Sequence, residues 1–244
     1  MSIQSLLTKL TSSFPPLSYL TTSSRFPTTP LTTSSGPHVA RIALRIDSEV
    51  GMDVLTYAVD MGMTFWEVGE GGLGSVGAWL GEEGEGRERR GELFLAANIP
   101  NGTEAAVVGA LFDTLNTSWL DLLYVPCNAE HVTLPTDADG LTNEAFTGRV
   151  RYIALEAPTA EELRYFSPLL RSPPAVRIRS RSGMEKVGDE QAKDLVEVAR
   201  ELGVGLIVDD DVEVETGGSE MVVWVRVCGG MRDLEEVVRR VEEE

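Results

Sequence analysis

Few side chains in this sequence could act as a nucleophile, a general base or a metal ligand. The lysines, histidines and cysteines are Lys9, Lys186, Lys193, His38, His131, Cys127 and Cys228. A Schiff-base mechanism needs a buried lysine, but Lys186 and Lys193 are expected in a loop and on a polar helix face. Both histidines are expected in loops, so neither a histidine-based triad nor a metal cluster is indicated. The cysteines have no disulfide or metal-binding spacing.

Carboxylates are the remaining candidates for chemistry. Asp209, Asp210 and Asp211 could bind a divalent cation through oxygen atoms. Consecutive strand residues point to opposite faces, however, so an acidic strand end in solvent is expected instead. Glu67 stands at the end of a short apolar run. An apolar environment there would raise its pKa toward the range used in general acid or base catalysis.

Composition limits the classes of partner. The chain has 244 residues, of which 42% are hydrophobic, which is enough for one globular domain with a sizeable core. Its formal net charge of −18 predicts that nucleic acid and anionic membranes are not partners, because phosphates would be repelled. No apolar run approaches the roughly 20 residues of a membrane helix. The cysteine usage favours a reducing, cytoplasmic location.

Residues 1–38 differ from the rest, since they are rich in Ser, Thr and Pro and contain no acidic residue. We expect a separate N-terminal extension, disordered or loosely packed, followed by a single domain over residues 39–244. Ile3, Leu6, Leu7 and Leu10 could form one helical stripe. A Ser-rich, acid-poor segment also leaves mitochondrial targeting open, and a lid over the domain is a third alternative.

From residue 40 onward, short apolar runs alternate with helical patterns, which is typical of a parallel sheet built from βα units. Strands are predicted at residues 40–46, 64–68, 92–99, 120–126, 150–155, 175–179, 205–209 and 221–228. Helices are predicted at residues 49–61, 75–83, 103–116, 143–148, 189–202 and 232–241, with another that begins at a capping box of Thr159 and Glu162. Eight strands predict an α/β fold, a (β/α)₈ TIM barrel.

Four segments of the first half resemble the aldo-keto reductase superfamily. Residues 62–68, GMTFWEV, stand where the family has glycine, a short strand and its catalytic aspartate, and residues 76–80, VGAWL, match its "VGxxL" helix. Residues 92–98, ELFLAAN, match "ELFIxxK", and residues 120–126, LDLLYVP, match "xDLYxIH". In the second half, residues 148–154, GRVRYIA, are similar to "GKVRxIG".

The resemblance implies a catalytic set that this chain lacks. Glu67 takes the place of the aspartate, Asn98 that of the lysine and Pro126 that of the histidine, and no tyrosine lies between Tyr57 and Tyr124. Without the lysine, no cation at this position lowers the pKa of a proton donor. The resemblance therefore implies a barrel without reductase activity.

The cofactor site implied by the resemblance is also altered. Glu156 and Ala157 replace the serine and asparagine that hold the nicotinamide, and residues 209–211 replace an aromatic residue that stacks on it. Residues 228–232, CGGMR, keep one arginine where the family binds the 2′-phosphate. Aspartates beside a pyrophosphate would repel it. We expect no cofactor and no metal.

The barrel is expected to be truncated relative to the family. Residues 212–220 are too few for a dependable helix between strands seven and eight, so one outer helix is missing, and no C-terminal loop follows the last helix. In a barrel of this kind the site lies at the C-terminal ends of the strands. Glu67 and Asn98 are the catalytic candidates there. The candidates for substrate binding are Trp66, Cys127, Asn128, Glu156, Arg177, Arg179 and Asp209.

Two functions follow as alternatives. The first is a cofactor-independent biosynthetic enzyme that binds an apolar small molecule at the mouth and promotes cyclisation (a pericyclic one included), isomerisation or elimination. Such reactions depend on shape and a few hydrogen bonds more than on a nucleophile. It predicts an apolar pocket with Glu67 or Asn98 at its base. The second is a non-catalytic regulatory subunit with a protein partner, similar in kind to the modifier subunit of glutamate–cysteine ligase. It predicts a filled barrel and an apolar surface patch for the partner. For Glu67 itself, the alternative to acid or base catalysis is a buried carboxylate paired with Arg177 or Arg179.

Overall fold

The strands close into a barrel of eight parallel strands. The structure, a computed structural model, describes residues 27–31, 37–98, 105–126, 149–169, 175–178, 189–209 and 221–243. Two short strands, β1 (Thr28–Pro30) and β2 (His38–Ala40), precede the barrel. The barrel strands are β3 (Ile42–Ile46), β4 (Phe65–Val68), β5 (Phe94–Asn98), β6 (Leu120–Pro126), β7 (Val150–Glu156), β8 (Ala175–Ile178), β9 (Leu206–Asp209) and β10 (Val222–Val227). The predicted (β/α)₈ barrel is confirmed.

Helices surround the barrel on its outer side. They are α1 (Met52–Asp60), α2 (Leu73–Leu80), α3 (Gly86–Arg89), α4 (Ala105–Thr114), α5 (Ala160–Phe166), α6 (Asp189–Leu202) and α7 (Met231–Glu243). The capping box predicted at the start of α5 is present, with the Thr159 side chain and the Glu162 side chain each accepting from the other's backbone N–H. The helix predicted at residues 143–148 and the connection at residues 210–220 lie outside the described residues. No helix of the described chain is long and apolar enough to cross a membrane.

Strand alternation divides the core into an inner and an outer layer. Inside the barrel, Phe65 and Phe94 meet edge to face with ring centroids 4.8 Å apart, among small and branched side chains from the other strands. Outside it, the opposite face of each strand packs against the helices; Trp66 and Trp79 lie there, with ring centroids 5.0 Å apart. The inner layer fills the lower part of the barrel, and the charged side chains that face inward from the described strands lie at its C-terminal end.

A hairpin covers the N-terminal end of the barrel. β1 pairs antiparallel with β2, and the carbonyl oxygen of Leu31 accepts a hydrogen bond of 2.9 Å from the Gly205 N–H at the start of β9. A Cβ atom at Gly205 would lie 2.3 Å from that oxygen, so only glycine fits this close approach. The expected boundary at residue 38 therefore falls inside the hairpin. Residues 27–31 pack at the end opposite the mouth, and residues 1–26 lie outside the described residues.

A buried carboxylate ties the strands together on the outer face. Asp121 is fully buried and accepts a hydrogen bond of 3.0 Å from the Leu95 N–H on the neighbouring strand. It also forms ion pairs of 3.0 Å with Arg90 and 3.2 Å with Arg151. This aspartate belongs to the segment at residues 120–126 that was matched by sequence. Its contacts join β5, β6, β7 and the turn before β5, which fixes the register of the strands that carry the site.

Candidate functional site

Seven consecutive strands each place one polar side chain at the C-terminal mouth. They are Arg45, Glu67, Asn98, Tyr124, Glu156, Arg177 and Asp209, on β3 to β9 in that order. The strand register brings Arg45 level with Glu67, and Glu156 level with Arg177. On the eighth strand, β10, the residue level with Arg45 is Val227. Polar side chains therefore line most of the inner wall at the mouth, but not all of it. The tertiary structure thus brings together residues that are up to 164 positions apart in sequence.

Arg177 occupies the centre of this group with no solvent exposure. Its Nη2 atom lies 2.6 Å from Glu67 Oε1 and 3.1 Å from Asp209 Oδ1. Its Nη1 atom lies 3.6 Å from Glu156 Oε1 and donates a hydrogen bond of 3.3 Å to Asn98 Oδ1. One guanidinium therefore contacts both residues that the sequence nominated as catalytic.

Arg45 completes the network from the opposite side of the barrel. Its Nε atom lies 2.5 Å from Asp47 Oδ2 and 3.5 Å from Glu67 Oε1, and its Nη1 atom lies 3.1 Å from Asp209 Oδ2. We call Arg45, Asp47, Glu67, Glu156, Arg177 and Asp209 the mouth network. The two guanidinium groups alternate with carboxylates, so each buried charge has a partner of opposite sign. With four carboxylates and two guanidiniums, the network carries an excess of negative charge.

Burial and pairing set the ionisation of the network. Burial raises the pKa of Glu67, and the nearby Arg177 and Arg45 oppose that change without cancelling it. The direction predicted from the sequence is confirmed. Burial alone would lower the pKa of Arg177, but the surrounding carboxylates outweigh it, so the net pKa is raised and the guanidinium stays charged.

Tyr124 lies under the network. Its ring centroid is 4.7 Å from the Arg177 guanidinium carbon, and its hydroxyl lies beside Glu67 without a hydrogen bond of good geometry. A phenol, a cation and a carboxylate thus meet, which are the group types that the family resemblance implies for proton donation. Tyr124 is fully buried, however, and burial together with the Glu67 charge raises its pKa well above 10.0. A raised pKa and lack of access are the opposite of what a proton donor to substrate needs.

The sequence missed Tyr124 and Arg45 as members of the site. Alternation along β6 would have placed Tyr124 on the same face as Leu122, inside the barrel. The same rule applied to β3 would have placed Arg45 inside with Ala43. The signal was present but weak, because it depends on knowing which face of each strand points inward.

The nominated residues have different outcomes. Glu67, Asn98, Glu156, Arg177 and Asp209 meet at the mouth, while Cys127, Asn128 and Arg179 lie outside the described residues. The expectation that Asp209 is a solvent-exposed strand end is wrong, since it is 5% exposed and pairs with both arginines.

Trp66 does not line the mouth. It is fully buried on the outer face of β4, where its Nε1–H donates a hydrogen bond of 2.8 Å to the Met63 carbonyl. Trp66 and Glu67 are consecutive on one strand, so they must point to opposite faces, and an inward Glu67 directs Trp66 to the helices. The expectation that Trp66 binds substrate is corrected accordingly.

The residues at the mouth do not fit NADP(H). Glu156 and Asp209 stand on the strand ends where the resemblance implies nicotinamide contacts, and both are engaged by Arg177. At the start of α7, the Gly229 N–H donates a hydrogen bond of 2.8 Å to Asp233 Oδ2. The Asp233 carboxylate therefore already accepts a hydrogen bond from the N–H group that a phosphate would need. Within the described ranges, no group of three or more His, Cys, Asp or Glu side chains is arranged to hold a metal ion.

Comparison with solved structures identifies the fold. The chain is similar to the thermostable aldo-keto reductase Tm1743 in complex with the inhibitor epalrestat, with a TM-score of 0.68 and 16% identity over 90% of this chain and 95% of that one. It is also similar to an aldo-keto reductase of the silkworm Bombyx mori, with a TM-score of 0.64 and 13% identity over 88% and 83% of the two chains.

A third similar structure is the holo form of an aldo-keto reductase from Bacillus halodurans, with a TM-score of 0.62 and 12% identity over 89% and 90% of the chains. No family model and no curated protein sequence matches the chain. At these identities the likeness shows an aldo-keto-reductase-like barrel and nothing about activity.

Proposed function

We propose that this aldo-keto-reductase-like barrel is a non-catalytic regulatory subunit of an enzyme. The observation that carries the proposal is the position of Arg177, whose buried guanidinium contacts Glu67, Asn98, Glu156 and Asp209 at once. The polar groups of the mouth are thereby engaged with one another. The regulatory alternative expects a barrel filled by its own side chains, and this engagement supports it.

Access to the chemical groups argues in the same direction. Glu67 is 1% exposed and Tyr124 is fully buried. A general acid must come within hydrogen-bond reach of the group it protonates. An apolar substrate placed against Glu67 would also have to displace two guanidinium groups from their carboxylates, which would leave charges buried and unpaired. The surroundings of Glu67 are therefore better suited to holding the barrel together than to binding an apolar molecule.

The partner would be an enzyme that carries the catalytic residues. The modifier subunit of glutamate–cysteine ligase is similar in kind, because it is a barrel of this type without the catalytic set that docks on a catalytic subunit. The catalytic subunit of that ligase is accordingly the first partner to test. The acidic surface of this chain would favour a basic face on the partner, since complementary potentials speed and orient association.

The experiment mixes the purified full chain with the purified glutamate–cysteine ligase catalytic subunit of the same organism. Co-elution in size-exclusion chromatography, together with a change in the ligase kcat or KM, is the expected result. The Bacillus halodurans aldo-keto reductase serves as the control, because it is similar in fold. The absence of both co-elution and a kinetic change, at micromolar concentrations of both proteins, would contradict this partner.

A cofactor-independent enzyme is the second candidate, and two observations favour it. Burial raises the pKa of Glu67, which suits a general acid, and Val227 is 60% exposed on the inner side of the mouth. The reaction would be a cyclisation, isomerisation or elimination of an apolar small molecule bound at the mouth. Turnover of polyketide- or terpene-like compounds by the wild type but not by Glu67→Gln would support it. A Glu67→Gln variant as active as the wild type would contradict it.

A further inference from the structure

An ion pair crosses the mouth of the barrel from one wall to the opposite wall. In the closed order of the strands, three strands separate β4 from β8 on either side, so these two strands lie opposite each other. Glu67 of β4 and Arg177 of β8 nevertheless meet, with Arg177 Nη2 2.6 Å from Glu67 Oε1. Arg45 and Asp209 also pair, but only β10 lies between their strands. The contact between Glu67 and Arg177 therefore ties together two walls that are as far apart as the barrel allows.

Glu67 is the most deeply buried carboxylate of the mouth network. Its side chain is 1% exposed, against 7% for Asp209, 15% for Glu156 and 37% for Asp47. Glu67 and Asp209 both lie within 3.1 Å of the same nitrogen atom, Arg177 Nη2, so two negative charges share one partner. Removal from water and a nearby like charge both disfavour the ionised form of a carboxyl group. Within the network, Glu67 is therefore the carboxylate whose charge is hardest to keep.

The protonation state of Glu67 changes the hydrogen bonds that it can make. Its two carboxyl oxygens and the Tyr124 hydroxyl are buried and make no hydrogen bond of good geometry. A charged Glu67 can only accept hydrogen bonds, whereas a protonated one can also donate to the Tyr124 oxygen. The described side chains that face Glu67 from the other strands and their ends are Arg45, Asp47, Asn98, Tyr124, Glu156, Arg177, Asp209 and, on β10, the apolar Val227.

The turn after β7 is strained where it meets this ion pair. Ala157 has a φ of 49°, in the left-handed region that a residue with a Cβ atom rarely adopts. Its N–H donates a hydrogen bond of 2.9 Å to the Arg177 carbonyl. The strained backbone is thus held by the residue whose side chain reaches Glu67. We expect the turn to relax when Arg177 moves away from Glu67.

We propose that Glu67 is a proton-sensitive switch that controls whether the mouth is closed or open. The closed mouth is the arrangement of the structure, with Arg177 against Glu67. In the open mouth these two side chains separate and become hydrated. A neutral Glu67 favours the closed mouth, whereas a charged Glu67 favours the open one. The switch goes beyond the proposed function and depends on neither candidate for it.

Burial sets the direction of the switch. In the closed mouth burial raises the pKa of Glu67, Arg177 and Arg45 oppose this change, and Asp209 adds to it. In an open, hydrated mouth the pKa of Glu67 returns toward its ordinary value of 4.5. The closed mouth therefore binds the proton more tightly. It gains stability as pH falls through the raised pKa and loses that stability as pH rises through the same value.

Hydrogen–deuterium exchange of the purified full chain, followed by mass spectrometry from about pH 5 to about pH 9, tests the switch. A peptide that contains β7 and Ala157 reports on the mouth, because the Ala157 N–H is bonded to Arg177. A peptide that contains β1 and β2 reports on the opposite end of the barrel. Labelling times are scaled to the intrinsic exchange rate at each pH. In the wild type, exchange of the mouth peptide should rise through one transition as pH increases, while the hairpin peptide stays unchanged.

Four substitutions separate the switch from a general effect of pH. Glu67→Gln is uncharged at every pH and should remove the transition, while Glu70→Gln, at an exposed position three residues away, should leave it unchanged. Arg45→Gln removes a cation 3.5 Å from Glu67, so the transition should move to higher pH by about one unit. Asp209→Asn removes a nearby like charge and should move the transition in the opposite direction.

Several outcomes would overturn the proposal. One is a transition that persists in Glu67→Gln, and another is exchange of the wild-type mouth peptide that does not change with pH. Shifts of the same sign in Arg45→Gln and Asp209→Asn would also overturn it, and this comparison decides the matter even if Glu67→Gln fails to fold. A parallel change in the hairpin peptide would mean that the whole domain unfolds, which contradicts a switch confined to the mouth.

Discussion

Replacing Arg177 by methionine should destabilise the barrel strongly. Methionine keeps the apolar stem but removes the guanidinium, which has no solvent exposure and lies 2.6 Å from Glu67 and 3.1 Å from Asp209. Removing one partner of a buried ion pair typically costs about 3–5 kcal/mol, because the other charge stays buried and unpaired. For a chain of this length that corresponds to a fall in Tm of roughly 6–20 °C.

The loss should depend on pH in a defined direction. The pKa of Glu67 in the folded protein is already raised by burial, and loss of Arg177 removes the stronger of the two cations that oppose this. A carboxyl group whose pKa is raised in the folded state lowers stability at pH values above that pKa. This loss is relieved as the pH falls through the folded-state pKa toward the pKa of the group in the unfolded chain. The stability gap between wild type and Arg177→Met should therefore be largest near neutral pH and narrow as the solution is acidified.

Urea unfolding followed by circular dichroism at several pH values measures this gap directly. Arg164→Met is the matched control, because Arg164 pairs with Glu201 at 3.0 Å but both side chains are more than half exposed. An exposed pair contributes at most about 1 kcal/mol. The assignment of a neutralising role to Arg177 would be refuted if the two variants lost similar stability. A gap that stays constant with pH would refute the electrostatic explanation even if the variant were unstable.

Three further substitutions test other parts of the structure. The difference in unfolding free energy between the wild type and Glu67→Gln should shift in favour of the wild type at acidic pH, because acid protonates the buried Glu67 carboxylate. Urea titrations of both proteins at acidic and at neutral pH check this. Asp121→Asn should lower stability by about 3 kcal/mol or more, since Arg90 and Arg151 would lose their shared buried carboxylate; an unchanged unfolding midpoint would contradict that role. Thr159→Ala should lower stability by about 1 kcal/mol through loss of the N-cap of α5, measured against Thr159→Ser, which keeps the hydroxyl.

The strands of the barrel could be predicted because each is a short apolar run bounded by turn residues. β6 was predicted with the bounds that the structure shows, and so was α6, whose apolar residues repeat at helical spacing. The strand at residues 40–46 was predicted as one element but is divided into β2 and β3, since residue 40 pairs with the hairpin and residue 42 begins the barrel. Local pattern does not reveal which sheet a strand edge joins, because that depends on a partner far away in sequence.

The site could be predicted only in part. The sequence predicts that five residues lie together at the mouth, because each stands at a strand end and a barrel places these ends at one mouth. They are Glu67, Asn98, Glu156, Arg177 and Asp209. Their pairing does not follow, since several carboxylates could have accepted either arginine. Trp66 was assigned to the mouth because strand-end position was used without the inward or outward alternation.

The sequence by itself determined the barrel and the family that it resembles. Periodicity and residue identity are local properties, so they can be determined without knowledge of the three-dimensional arrangement. Only the tertiary structure decided that Arg177 stands at the centre of the mouth, that Arg45 reaches the same carboxylates from the first barrel strand, and that Tyr124 lies beneath Arg177. These facts depend on closing eight strands into one ring, which brings side chains from across the chain within a few ångströms of one another in a buried interior, where each charge shifts the ionisation of its neighbours.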